Sequence, residues 1–518
     1  MIIVDRIRAK LDSYSPDTRG WLICAAVLMI TVVRSGITYS FGEFVVQLQK
    51  TYHRPMAEQN WIGTLSFTVS LTSAPLSVAL IRLLGFNGYR KVALSGVLIL
   101  SVSCLASSFV SKLEWMFLTH SILYGIGSSM LLMSSSLVIG EYFDKEHKHH
   151  VLATSILLCG YPVGSLVFNP INAWLVSTYG WRVGFRATSI LIFITGMSCC
   201  FSFVSKKTRE ELEASEKAAG KITISCGGAK ELRARPEILL WLFGNTLGYI
   251  GFYMPFLNLA YYMKLKGILT TDGSWALTLL SLFECISYIG ASLLGDRLKG
   301  KLIYANVIAS CSLAVICLIW PSVDVNYALI LVIAGAMGVF LGLNIVYTYA
   351  ASGEVTGLPI HIAWAATNVW SGMGILTGPL FSGMVYDLRH NYDDVFYVSG
   401  GVYAIDAVLF CAIPIVRRFR SGKAVSEYDE LDGSVEQNNF QQREYPQPDH
   451  YANQFPKTDN FEKAFIPNSV SGSDFAPGYD SAGDTIRAYE SEFRNVKKTL
   501  SKQGLVKNEN DPILSSPE

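Results

Sequence analysis

Charged residues are scarce in this chain, at 16% of its 518 residues, whereas 51% are hydrophobic and the formal net charge is +1. A near-neutral balance points to no particular kind of partner, and we expect no nucleic-acid partner. Roughly the last hundred residues are strongly polar, so the apolar residues are concentrated upstream of them. This uneven distribution argues against a soluble protein built around one large core.

A disulfide framework and a metal-ligand spacing are also lacking. Nine of the ten cysteines lie inside apolar runs, and Cys226 lies in a basic loop, so we interpret them as small hydrophobic residues. The polar loops contain no nucleotide-binding loop, metal-ligand set or nucleophile triad, and we therefore expect no cofactor, no metal and no enzymatic activity. The charged N-terminus has no short apolar core, which argues against a cleavable signal peptide.

Long apolar runs of about 18 to 25 residues recur between residues 20 and 416. Each run is long enough to cross a bilayer as a helix, because a transmembrane helix needs about 20 apolar residues. The pattern predicts an all-α membrane protein with twelve transmembrane helices. The predicted spans are about 20–44, 61–84, 92–110, 115–139, 151–176, 184–204, 238–262, 275–295, 302–321, 327–350, 360–386 and 396–416.

The spans divide into two six-helix halves around a polar connector. The tail beyond residue 420 is too polar to bury a core, so we predict it to be disordered. Its serines, tyrosines and acidic residues could serve as phosphorylation or adaptor sites, or the tail could be solvated without a specific role. The predicted segments are an N-terminal segment 1–19, a first half 20–204, a connector 205–236, a second half 237–420 and a tail 421–518.

The distribution of lysine and arginine predicts the orientation in the membrane. With the N-terminus inside, the cytoplasmic ends and loops hold roughly three times as many of these residues as the outer loops. We therefore predict that both termini are cytoplasmic in a multi-pass protein of the plasma membrane, with the lipid bilayer as its surroundings.

Short motifs follow one another in a fixed order along both halves. Together they resemble the motifs of the monocarboxylate transporter family, which is part of the major facilitator superfamily. The chain resembles a divergent branch of that family. The matching residues are Pro16 to Trp21, Tyr39 to Phe41, Trp61-Ile62, Gly140 to Lys145, Leu152-Ala153, Gly160 to Gly164, Gly180 to Arg182, Gly378-Pro379, Gly383 and Asp387.

Three positions depart from the pattern of the proton-coupled members of that family. Glu43 stands where those members have a lysine, and Ser287 and Ala291 stand where they have an aspartate and an arginine. The resemblance therefore does not imply the steep inward proton coupling of lactate carriers. It implies a member that carries another carboxylate, an amino acid or an amino-acid derivative. The loop Asp144 to His150 holds three histidines, and we interpret it as a solvated loop rather than a metal site.

Arg34 is the one positive charge in the first apolar run. A charge inside a membrane span is expensive and often functional, although a long arginine can also snorkel to the headgroups. Glu284 in the eighth span is predicted to lie at a depth in the membrane that is compatible with contact to Arg34. We predict that Arg34 and Glu284 pair across the two halves in the empty carrier; the alternative is a separate partner for each charge within its own half.

The candidate substrate-binding residues come from spans that face the central cavity in this architecture. Membrane asparagines often only hydrogen-bond between helices, so a structural role remains the alternative for each. Asp406 in the twelfth span is interpreted as satisfying a neighbour. The candidates are Arg34, Tyr39, Glu43, Tyr161, Asn245, Tyr249, Glu284, Ser287, Asn344, Tyr347 and Asn368.

The resemblance implies the major facilitator fold and a carrier that works by alternating access, as a symporter or a uniporter. The expected substrate is a monocarboxylate or a related small organic anion or zwitterion, such as an organic acid or an amino-acid-like compound. Two alternatives remain from the sequence: a membrane sensor or receptor that signals through the C-terminal tail, and a channel. The resemblance also permits a single-span accessory protein as a partner.

Overall fold

The fold was obtained as a computed structural model, which describes residues 15–441 except 54–55, 207–234, 257–258, 260–261, 264–265, 267–269 and 324–325. All regular elements in this part of the chain are helical. The α-helices are α1 Pro16–Tyr39, α2 Phe41–Tyr52, α3 Met56–Thr72, α4 Ala74–Leu83, α5 Gly88–Phe109, α6 Glu114–Met116, α7 Tyr124–Tyr142, α8 His150–Tyr179, α9 Trp181–Cys200, α10 Pro236–Phe256, α11 Thr270–Gly295, α12 Leu302–Ile319, α13 Tyr327–Val346, α14 Thr348–Thr356, α15 Ile360–Arg389 and α16 Asp393–Gln441.

Nine helical segments in the described part of the chain are long and apolar enough to cross a membrane. The pair α3 and α4 adds a tenth if it forms one span, bent by 43°. The helices α10 and α15, with 21 and 30 residues, are not among these segments although they have sufficient length. Counted with them, the fold is consistent with the predicted twelve spans.

Local sequence accounts for several helix boundaries and irregularities. Ser15 caps α1, since its hydroxyl accepts a hydrogen bond from the Thr18 N–H at 3.4 Å, and Pro16 occupies the first helical turn. Residues Phe117–Leu123 form a π-helix between α6 and α7. This π-helix presents His120, which is buried and stacks on Phe41 at a ring distance of 4.7 Å.

Glycines allow the close helix contacts inside each half. In the first half, a Cβ on Gly164 of α8 would lie 2.5 Å from the Val32 carbonyl oxygen of α1. In the second half, a Cβ on Gly338 of α13 would lie 2.2 Å from the Leu280 carbonyl oxygen of α11. Because lipid tails are as apolar as the helices, no hydrophobic driving force brings membrane helices together, and they associate through such close backbone packing.

The two halves meet at the end of the bundle where α1 begins, which we call the Pro16 end. There Asp296, directly after α11, accepts a hydrogen bond from the Val151 N–H of α8 at 2.8 Å. Trp364 of α15 donates its indole N–H to the Ser136 hydroxyl of α7 at 3.0 Å. These contacts join the halves on one side of the bundle, so the structure represents a conformation that is closed at the Pro16 end.

Glu354 of α14 lies at this end, beyond the apolar segment of α13. Its carboxylate accepts a hydrogen bond from the Gly300 N–H at 2.9 Å. Burial raises the pKa of Glu354 above its usual value, while the hydrogen bond from Gly300 lowers it. The contact ties α14 to the turn that follows Asp296.

Residues Met1–Gln437 form one unit, and Asn438–Glu518 form a second, of which only the end of α16 is described. The helix α16 continues to Gln441, beyond the predicted end of the twelfth span at residue 416. The central part of the predicted connector and the predicted disordered tail beyond residue 441 lie outside the described residues.

Candidate substrate cavity

A cavity lies between the two halves. The first half contributes residues of α1, α3, α7 and α8, and the second half contributes residues of α10, α11, α13 and α15. The wall is mostly aromatic and aliphatic. It is formed by Tyr39, Phe67, Leu71, Leu132, Leu158, Tyr161, Tyr249, Phe252, Tyr253, Tyr288, Ile345, Trp364 and Asn368.

Five of the residues that line the cavity are tyrosines. Tyr39 packs edge-on against Tyr161, with 6.1 Å between ring centroids, and Phe67 lies 6.3 Å from Tyr253 of the opposite half. A tyrosine offers an apolar ring face and a hydroxyl that can donate or accept a hydrogen bond. This wall suits a small molecule that has an apolar body and a few polar groups.

Arg34 lies behind the cavity wall, with 2% of its surface exposed. Its guanidinium donates one hydrogen bond to the Ser128 hydroxyl and one to the Tyr161 hydroxyl, both at 2.7 Å. The Arg34 carbonyl oxygen accepts a hydrogen bond from the Tyr124 hydroxyl at 3.1 Å. These contacts hold a full positive charge in one orientation beside Tyr161, which itself lines the cavity.

The predicted ion pair between Arg34 and Glu284 is absent from this structure. Within the described part of the chain, the side-chain hydrogen bonds of Arg34 go to residues of its own half, as the alternative interpretation required. Glu284 makes no ion pair with a described residue and is instead close enough to Tyr39 and Tyr288 to interact with them electrostatically. The prediction from matching depths was wrong here because depth does not determine which way each side chain points.

The structure brings four predicted site residues together at the central cavity: Tyr39, Tyr161, Tyr249 and Asn368. Asn368 also donates a hydrogen bond to the Trp364 carbonyl oxygen at 2.7 Å. A second, neighbouring cavity contains Asn245 and Asn344 and shares Tyr249. Of the two predicted residues on α10, Asn245 therefore lines the second cavity and Tyr249 lines both.

Besides Arg34 and Glu284, three predicted site residues line neither cavity. Glu43 is exposed on α2. Ser287 donates its hydroxyl hydrogen to the Val339 carbonyl oxygen at 2.6 Å, and Tyr347 donates to the Ala291 carbonyl oxygen at 2.7 Å. Both of these bonds connect α11 with the helix pair α13 and α14, so they stabilise the packing of the second half.

The predicted site residues did not include five aromatic residues of the wall: Phe67, Phe252, Tyr253, Tyr288 and Trp364. A helical-spacing signal existed for three of them. Phe252 and Tyr253 lie three and four residues after Tyr249, and Tyr288 lies four residues after Glu284, so each extends the face of a predicted residue.

The histidine-rich loop contacts neighbouring groups. The His150 ring nitrogen Nδ1 lies 2.7 Å from the Phe143 carbonyl oxygen, and His149 lies 3.9 Å from a carboxylate oxygen of Asp296. His147 lies 3.8 Å from Asp17 at the start of α1. In the described ranges, no three His, Cys, Asp or Glu residues are grouped in a way that could hold a metal ion.

The two-half helical bundle with a cavity between its halves defines a class of membrane transporter. The family model of the Major Facilitator Superfamily matches residues 23–358, which is more than half of the chain. The chain therefore belongs to the major facilitator superfamily, and it is a transmembrane transporter rather than an enzyme.

Within the superfamily, the chain is similar to monocarboxylate transporters, as its motifs predict. It is 22% identical to monocarboxylate transporter 13 of Rattus norvegicus over 397 residues, which cover 76% of this chain and 89% of that protein. It is 22% identical to monocarboxylate transporter 2 of Homo sapiens over 423 residues, covering 76% and 85%. It is 25% identical to monocarboxylate transporter 10 of Mus musculus over 431 residues, covering 78% and 80%. These low identities fit a divergent branch of the family.

Proposed function

We propose that this protein moves a small organic anion or zwitterion across the plasma membrane by alternating access. The observation that carries the proposal is the tyrosine-lined cavity between the halves, with the buried Arg34 directly behind Tyr161. The relatives that are named as monocarboxylate transporters support a substrate with a carboxylate group. No part of the proposal needs a cofactor.

Arg34 is the group that we assign to the substrate carboxylate. Arginine binds carboxylates through paired N–H donors, and among the described residues no carboxylate forms an ion pair with Arg34. A modest rotation of the Tyr161 ring would open a path from the cavity to the guanidinium. The tyrosine and phenylalanine rings would then surround the apolar part of the substrate.

The excess of lysine and arginine supports an orientation in which the Pro16 end faces the cytoplasm. With that orientation, the contacts of Asp296 and Trp364 close the cytoplasmic side of the cavity. Transport then requires these contacts to break while the outer ends of the halves approach each other. A substrate drives this exchange only if it binds the two access states with different affinities.

Uptake of radiolabelled compounds into oocytes tests the proposal. The panel contains lactate, aromatic amino acids, creatine and carnitine, measured with and without a pH gradient and with and without a co-expressed single-span accessory protein. We expect saturable uptake of at least one carboxylate-bearing compound, and Arg34→Ala should abolish it at unchanged surface abundance.

Arg186→Ala is the matched control for the loss of one arginine. Arg186 is exposed on α9, and its side chain donates to the Ser108 hydroxyl at 3.3 Å. The control should keep the uptake of the unmodified protein. Normal uptake in Arg34→Ala would contradict the assigned role of Arg34.

A further inference from the structure

A second, smaller cavity lies inside the second half, beside the central cavity. The two cavities share Tyr249, Phe252 and Ile345, which form the wall between them. The other residues of the second cavity come from α10, α13 and α16. They are Gly244, Asn245, Gly248, Leu341, Asn344, Tyr403, Asp406 and Phe410.

Asp406 supplies the one carboxylate among these lining residues, and none of its surface is exposed. Its Oδ2 atom accepts a hydrogen bond from the Ser310 hydroxyl at 2.7 Å, and Ser310 in turn accepts one from the Asn344 amide at 3.0 Å. Its Oδ1 atom has no hydrogen-bond partner among the residues that the structure describes. One oxygen of the carboxylate is therefore held in place while the other is unsatisfied.

Two glycines of α10 keep the space in front of this carboxylate open. A Cβ on Gly244 would lie 3.0 Å from Oδ1 of Asp406, and a Cβ on Gly248 would lie 3.3 Å from Oδ2. Any larger side chain at these positions would occupy the place that a ligand of Asp406 would take.

Among the described residues that line this cavity or hydrogen-bond to Asp406, none is positively charged. The polar side chains among them are Asn245 and Tyr249 of α10, Ser310 of α12, Asn344 of α13 and Tyr403 of the helix that carries Asp406. Among the described lining residues there is no lysine, arginine or histidine, and the only other groups that could titrate are the two tyrosines. A charged carboxylate that is buried inside a membrane span without a positive partner is energetically unfavourable. A bound cation would neutralise it.

We infer that the Asp406 cavity binds one small monovalent cation, a proton or a sodium ion. A proton would bind Oδ1 as an O–H group, and a sodium ion would bind Oδ1 together with neutral oxygens of the lining asparagine and tyrosine side chains. The shared wall then couples the cation to the substrate, since a shift of Tyr249 changes both cavities at once. This coupling step rests on the proposed transport function, whereas cation binding does not.

The thermal unfolding of the purified full-length protein without substrate tests cation binding alone. One arm compares sodium chloride with choline chloride at equal ionic strength, and the other varies pH at constant sodium. A cation that binds only the folded state stabilises it, so we expect Tm to rise by about 2–4 °C in one of the two arms. A rise with sodium assigns the site to sodium, and a rise with falling pH assigns it to the proton.

Asp406→Asn keeps the shape of the side chain and should remove that response. Glu114→Gln, which changes an exposed carboxylate of α6, should keep it. The inference is overturned if the unmodified protein responds to neither cation, or if Asp406→Asn responds as the unmodified protein does.

Ser310→Ala provides a second variant in case Asp406→Asn does not fold. This change removes the hydroxyl that donates to Oδ2 and leaves the carboxylate in place. The charged form of Asp406 then loses one hydrogen bond. If the site binds a proton, the midpoint of the pH response should move upward by about one unit, and if it binds sodium, the sodium affinity should change by about threefold or more. An unchanged midpoint or affinity would contradict the site.

Flux measurements separate this inference from the proposed function. If Tm responds to the cation through Asp406 but uptake is absent, the cation site stands and the transport proposal fails. If uptake occurs and neither Tm nor uptake responds to either cation, the transport proposal stands and the cation site fails.

Discussion

The Arg34 network is the central feature at the scale of single residues. A hydrogen bond to a charged group contributes about 1.5–3 kcal/mol, so Ser128 and Tyr161 both hold the guanidinium in place. The sequence was sufficient to single out Arg34 and Tyr161. It could not show that they contact each other, because 127 positions separate them and the direction of a long side chain depends on packing.

Tyr161→Phe removes one of the two acceptors of Arg34 and keeps the aromatic ring. We expect the uptake efficiency, kcat/KM, to fall by about 10- to 100-fold, which corresponds to the loss of one such hydrogen bond. Initial uptake rates at several substrate concentrations measure the change. Tyr179→Phe is the control on the same helix, since Tyr179 is 57% exposed. Equal efficiencies of the two variants would show that the Tyr161 hydroxyl does not position Arg34.

At the scale of secondary-structure elements, the long apolar helices were predictable, but not all of their interruptions were. The break between α3 and α4 at Ser73 has a signal in the sequence, because Pro75 follows it in the first turn of α4. The π-helix at Phe117–Leu123 has no distinctive residue pattern and depends on contacts that a single sequence does not reveal. Pro162, in contrast, marks an irregular position in α8 that the sequence shows directly.

The contact between α11 and α13 predicts the effect of adding one methyl group. Gly338→Ala would place a Cβ 2.2 Å from the Leu280 carbonyl oxygen, so the helices must separate. Overpacking of this kind costs about 1–3 kcal/mol, and we expect a lower Tm and less protein at the surface. Gly290→Ala on α11 meets nothing within 4 Å and should leave Tm unchanged or slightly higher. A stable Gly338→Ala protein would show that this interface tolerates separation.

The contact of Asp296 predicts a shift between access states. Asp296→Asn removes the negative charge at the N-terminus of α8, where such a charge contributes about 0.3–1 kcal/mol. We expect the Pro16 end to open more often. Labelling of the half-buried Cys159, which lies 3.8 Å from Ser292 of the other half, should then become about two- to fivefold faster.

A maleimide reagent added from the side of the Pro16 end measures this labelling rate. Asp393→Asn is the matched control, because Asp393 forms its ion pair with Lys266 inside the second half. The account of the closed end would fail if Asp296→Asn and Asp393→Asn were labelled at the same rate.

At the scale of the whole molecule, a helical protein with many membrane spans was predictable because apolar length alone indicates a span, and the described helices are consistent with the predicted twelve. The helices α10 and α15 carry cavity residues such as Tyr249 and Asn368 and are not among the nine long apolar segments of the described chain. The arrangement of the halves relative to each other could not be predicted. It depends on contacts such as Val151 with Asp296, which lie 145 positions apart.

Deletion of residues 425–518 should leave transport per surface molecule unchanged. This segment has no apolar periodicity, and none of the cavity residues comes from it. Surface biotinylation combined with uptake measures the ratio. A truncated protein that reaches the surface and transports nothing would show that the segment takes part in transport.

Counterflow is the measurement that tests alternating access most directly. Purified protein is placed in liposomes loaded with the unlabelled substrate, and the uptake of the labelled substrate is recorded. When the empty carrier changes slowly between its inward- and outward-facing states, bound substrate speeds that change. We therefore expect internal substrate to increase the initial uptake rate several-fold. Substrate binding without any uptake, or an uptake that neither saturates nor responds to internal substrate, would contradict the account.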